Sequence, residues 1–66
     1  MKIVVQNRKT NAFLTADARW VRHFDYARRF ATSLEALRFC AERELRDTDM
    51  LVCFSGERSN MRVPLI

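Results

Sequence analysis

Apolar and polar positions repeat with a helical period in one long stretch, Thr32 to Leu45, TSLEALRFCAEREL. At about 100° per residue, Leu34, Leu37, Ala41 and Leu45 share a stripe that Ala36 and Cys40 widen. Glu35, Arg38 and Glu42 take the opposite side, and Phe39 falls at the boundary beside this charged arc. Thr32 with Glu35 three residues on has capping-box spacing: the hydroxyl accepts from the third helical amide and the glutamate reaches back. Glu42 precedes Arg46 in the order that favours an i,i+4 ion pair. The pattern predicts a helix over about 32–45, with Leu37 centred in its buried arc against Ile3 or Val5. A helix with so wide an apolar arc needs a sheet to lie on.

The strand signals are shorter. Lys2 to Gln6, KIVVQ, is β-branched and compact, and its three consecutive apolar residues suit a central strand covered on parts of both faces. Asn7 to Asn11, NRKTN, is a polar turn of hairpin length, and Ala12 to Thr15, AFLT, is the return strand. Met50 to Phe54, MLVCF, is a second strand of buried type. No glycine follows the helix, so either Glu44 or Arg46 takes the usual turn position at its end, or the helix frays. Gly56 with Ser55, Glu57, Ser59 and Asn60 reads as a loop. Two segments stay open. Trp20 to Phe24 is either a short extended piece or a turn of helix, with Asp25 able to cap a turn containing Ala27 and Phe30. Residues 55–66 end in MRVPLI, either an edge strand that tolerates Pro64 or a flexible end.

These elements predict an α+β fold, one domain over residues 1–66 with the order β-β-α-β. The sheet is expected to be three-stranded and antiparallel, the first strand lying between the second and the third. The tail is an optional fourth edge strand. The helix crosses one face through a right-handed connection, with Trp20 and Phe30 at the edge of the core.

Phe13-Leu14-Thr15, then Trp20, then Ala27 with Phe30, then Ser33 with Ala36, resembles a pattern in small uncharacterised bacterial β-β-α-β domains. The similarity spans residues 3–52. It implies the same fold and carries no activity. The chain departs from the pattern in having no glycine after the helix.

Sixty-six residues, 48% of them hydrophobic and seven of them aromatic, suit a folded core and exclude a disordered chain. A chain this short buries only about 60% of its unfolded surface, so its stability is expected to be modest. No apolar run approaches the roughly 18 residues that span a bilayer, and no cationic and apolar leader precedes the first strand. The expected site is the cytoplasm, with no membrane partner. Cys40 and Cys53 both fall at apolar positions and read as reduced core thiols, not a disulfide framework. A metal centre would need more ligands than one histidine and two cysteines at unhelpful spacing, so no metal and no cofactor is expected. His23 has no nucleophile with elbow or triad spacing near it, and Asp47 with Asp49 reads as a pair of solvated turn residues. The expectation is that the chain is not an enzyme.

Charge is what points to a partner. The chain carries +4 overall, but residues 1–29 carry +5 and residues 30–66 carry −1. Ten of the twelve cations are arginine, the side chain suited to phosphate forks and aromatic stacking. Arg8, Lys9, Arg19, Arg22, Arg28 and Arg29, with Tyr26 among them, form a candidate ligand-binding set. Cations would take phosphates and a ring would stack on bases, provided that these side chains gather on one surface. Phe39, with Met61, Val63 and Leu65 of the tail, forms a candidate homodimer seam; the alternative is that the tail covers Phe39 within one chain. The expected role is a small non-catalytic binding module. Its partner is an acidic protein surface or, as the alternative, nucleic acid.

Overall fold

The computed structural model describes residues 2–54 and 61–66, and the expected Gly56 loop lies outside the described residues. Among these residues five strands form one antiparallel sheet: β1 (Lys2–Asn7), β2 (Phe13–Leu14), β3 (Trp20–Val21), β4 (Thr48–Cys53) and β5 (Met61–Pro64), in the order β3-β2-β1-β4-β5. Among the described residues one helix, α1 (Ser33–Glu42), packs on the sheet, and one 3₁₀ turn covers Phe24–Tyr26.

This corrects the three-stranded expectation and its order. The ambiguous Trp20–Phe24 stretch divides into two elements. Its first two residues extend the sheet beyond β2, with Phe13 opposite Val21 and Leu14 opposite Trp20, and its last residue opens the 3₁₀ turn. Asp25 sits inside that turn and does not cap it. The tail takes the other edge, with Met50 opposite Val63 and Asp49 opposite Pro64. Two-residue pairings such as β2–β3 carry too weak a periodicity to be seen in a sequence.

Register assigns the faces, because directly opposed residues in antiparallel strands point the same way. Ile3 faces Val52 and Val5 faces Met50. These four, with Leu14, Phe30, Ala36, Phe39 and Cys40, make the core under α1. Val4 with Leu51, and Gln6 with Asp49, point to the other face.

The helix is shorter than its pattern and rotated about its axis. Thr32 is the N-cap, its hydroxyl accepting from the Glu35 amide at 3.1 Å. At the other end Leu45 N–H donates to Cys40 O at 3.0 Å and Glu44 N–H to Ala41 O at 3.1 Å. This pair is a Schellman closure, and Glu44 holds its left-handed position at φ 55° where glycine is usual. Arg46 therefore lies outside the helix and makes no ion pair with Glu42 among the described residues. The buried helical residues are Ala36, Phe39 and Cys40, whereas Leu37 is 38% exposed and Leu34 61%. The expected burial of Leu37 against Ile3 or Val5 is thus corrected. Ala36 and Cys40 are small, so the helix sits close to the sheet. That approach turns Phe39 edge-on to Phe30, with ring centroids 5.4 Å apart. Burying one phenylalanine in this way outweighs burying either leucine of the rival stripe.

Candidate interaction surface

The sheet and helix together fix one cluster of arginine and aromatic side chains. Arg28 N–H donates to Leu14 O at 2.9 Å, and Phe30 N–H donates to Ile3 O at 2.8 Å. The segment between Ala27 and Phe30 is thereby laid along β2 and β1, which brings the Arg28 side chain to the flank of α1. Its guanidinium carbon lies 4.7 Å from the centroid of Phe30 and 4.6 Å from that of Phe39. Its Nη2 donates to Glu35 Oε1 at 3.2 Å. From the C-terminal end of the helix Arg43 stacks on the same Phe39 ring at 3.7 Å. The spacing of Phe39 and Arg43, four residues apart, puts both on one side of the helix. Cations over an aromatic face are attracted by its quadrupole, and here they also cover the rim of the buried ring.

Beside these guanidiniums a cleft of about 470 Å³ opens, with Leu34, Glu35, Arg38 and Glu42 completing its wall. Leu34 and Leu37 stand on the outward side of α1. They are neighbours within one helical turn, an aliphatic surface that the helix does not bury.

The sequence-nominated cations do not gather here. Arg8 Nε lies 3.3 Å from Asp49 Oδ1, and Arg8 Nη2 donates to the carbonyls of Thr48 and Ile66. Lys9 pairs with Asp47 at 3.4 Å and Arg19 with Asp17 at 3.3 Å. The hairpin-turn cations are thus drawn to the start of β4, while Arg28 is drawn to the first turn of α1. Arg22 and Arg29 are exposed and enter no ion pair among the described residues. Tyr26 is 69% exposed and edge-on to His23, with centroids 6.0 Å apart. Of the nominated seam, Phe39 is buried in the core. Val63 and Leu65 are half-buried against that core, and Met61 is exposed on the edge strand.

Sequence reasoning passed over Leu34, Leu37, Arg38 and Arg43. The four-residue spacing from Phe39 to Arg43 was the available signal for the last of these. The leucines were legible as a stripe and assigned to the wrong side.

Among the described residues two titratable groups depart from their ordinary values. Burial pushes the Cys40 thiol up, and the facing Thr48 hydroxyl and the Arg43 charge offset part of that rise. The Thr48 hydroxyl has no hydrogen-bond partner of normal geometry among the described residues. The Thr15 hydroxyl, helped by Arg19, holds the exposed Asp17 carboxyl below its usual range. Both cysteines are buried and unbridged. Among the described residues no three His, Cys, Asp or Glu side chains converge as a metal site would require, and no helix is long and apolar enough to cross a membrane. No family model matches the chain, and neither a curated protein nor a solved structure does.

Proposed function

We propose that the chain is a small non-catalytic interaction module of the cytoplasm that presents the outward side of α1 to an acidic surface of a partner protein. The observation that carries this reading is the exposure of Leu34 and Leu37 on a helix whose core face is made by other residues. Aliphatic side chains left in water beside unpaired guanidiniums form the centre and rim that protein interfaces favour. A second copy of the chain suits this face poorly. Each copy carries +4, so two copies repel where an acidic partner is attracted. The reduced thiols Cys40 and Cys53 support the cytoplasmic setting.

A second reading rests on Tyr26. It is the most exposed aromatic among the described residues and lies in a segment with the unpaired Arg22 and Arg29, an arrangement that supports stacking and phosphate contacts on single-stranded nucleic acid. One experiment separates the two. Fluorescence anisotropy is measured with a labelled acidic amphipathic peptide and with a single-stranded oligonucleotide of equal net charge. The expected result is saturable peptide binding that the paired substitution Leu34→Ser, Leu37→Ser abolishes while the chain stays folded at the assay temperature. Tighter binding of the oligonucleotide, lost in Tyr26→Ala and unaffected by the leucine changes, would replace the first reading by the second.

A further inference from the structure

The cleft beside α1 has a chemistry of its own. Arg28 and Arg43 both lie on Phe39, at 4.6 Å and 3.7 Å from its centroid. Their guanidinium carbons can therefore be no further apart than those two distances laid end to end. Both residues also line the one cleft, where a carboxylate can accept charge-assisted bonds of about 2.7–2.9 Å. The two arginines are not equally committed. Arg28 already holds Glu35. Arg43 makes its ring contact and a 3.5 Å bond from Nη1 to Phe39 O, and it enters no ion pair among the described residues. Most of its donors remain available. Arg38, on the same wall, is also exposed and outside any ion pair among the described residues.

The balance of charge selects the ligand. Three arginines and two glutamates line the cleft, leaving one positive charge in excess. A single carboxylate neutralises that excess. A run of phosphates would overfill it and meet Glu35 and Glu42, since like charges in a partly enclosed site repel. At the lip stands Leu34, 61% exposed, offering an aliphatic contact beside the charged wall.

We infer that this cleft reads one aspartate or glutamate side chain of the partner protein, with Arg43 and Arg28 on its oxygens and a neighbouring aliphatic side chain of the partner against Leu34. The inference rests on the interaction-module reading and adds the recognition element to it. Arg43 supplies the unspent donors, Arg38 supports them electrostatically, and Phe39 fixes where the two stacked guanidiniums point.

The test uses the full chain and two short capped peptides, identical except that one carries Leu and Glu and the other Leu and Gln. Amide chemical shifts are followed as each peptide is added. The Glu peptide is expected to shift the amides around Arg28, Arg38 and Arg43, and to bind about tenfold more tightly than the Gln peptide, the order of one charge-assisted hydrogen bond. Arg43→Gln should erase that preference while Arg43→Lys retains part of it. Arg38→Gln, on the solvent side of the helix, should reduce it with the fold intact, so the test survives if Arg43 variants unfold. Equal binding of both peptides would overturn the carboxylate site and leave the interaction-module reading standing. Failure of both peptides to shift any amide of α1 would overturn the two together.

Discussion

Phe39 decides how the helix sits. It is 6% exposed, touches Phe30 edge-on and carries two arginines on its ring. Truncating it removes the largest apolar contact between α1 and the rest of the core and unseats both guanidiniums. Phe39→Ala should therefore destabilise the chain by about 3–5 kcal/mol, enough to unfold a domain this small. Leu37→Ala, at a position more than a third exposed, should cost at most about 1 kcal/mol. Urea unfolding of the two variants checks the rotation of the helix directly, and the opposite ranking would place Leu37 back in the core.

Cys40 is the residue through which pH reaches that core. Burial raises its thiol pKa in the folded chain above the value in the unfolded one. A raised value means that the unfolded state loses the proton first. The contribution is complete below the ordinary thiol pKa of about 8.5 and is lost as pH rises through the folded-state value. Melting temperature should fall over that alkaline window in the wild type, and less steeply in Cys40→Ala. Parallel curves for the two proteins would remove Cys40 as the cause.

At the level of elements, the outer strand β5 is held by more than its ladder. Asp49 on β4 is 3% exposed. It accepts from Arg62 Nη1 of β5 at 2.9 Å. Its other oxygen has only the 3.3 Å ion pair with Arg8, which is not a well-directed hydrogen bond. Arg62 Nη2 also donates to Gln6 Oε1 at 2.6 Å, and Gln6 Nε2 donates to Asn11 O at 2.9 Å. One buried carboxylate thus ties the β1–β2 turn, β4 and β5 together on the face away from α1. Asp49→Asn keeps the shape and removes the charge. Both arginines are partly exposed and can return to water, so the expected loss is about 1–3 kcal/mol, below that of a fully buried pair. Hydrogen exchange should show the β5 amides losing protection before those of β1. Uniform loss across the sheet would mean that the network is not specific to the edge. Pro64 and the charged Arg62 on β5 also discourage further strand pairing at this edge.

On the scale of the whole molecule, the basic half of the sequence does not become a basic half of the fold. Of the cations in residues 1–29, Arg8, Lys9 and Arg28 take partners from the second half, namely Asp49, Asp47 and Glu35. Arg19 takes Asp17. What faces solvent without an ion pair among the described residues is Arg22, Arg29, Arg38, Arg43 and Arg46. The excess charge is therefore spread. A net charge of +4 favours encounter with anionic surfaces in general.

The sequence alone determined whatever depends on a few neighbouring residues. The Thr32 cap follows from its hydroxyl and the third helical amide, while the missing glycine left Glu44, Arg46 or a frayed end open, and the structure takes Glu44. The first strand was legible from its β-branched run, and the strand before the Gly56 loop from its apolar density, though β4 begins two residues earlier than that density suggested. Tertiary structure decided the rest. Two apolar arcs overlap on α1, and periodicity cannot choose between them. The choice was made by Phe30, which reaches Phe39 only after the chain has crossed to β1. The ion-pair partners lie far apart along the chain, and their attraction acts only once folding brings them within a few ångströms. The interaction surface was hidden for the same reason. Leu34 and Leu37 are an ordinary core stripe until the sheet accepts the other side of the helix.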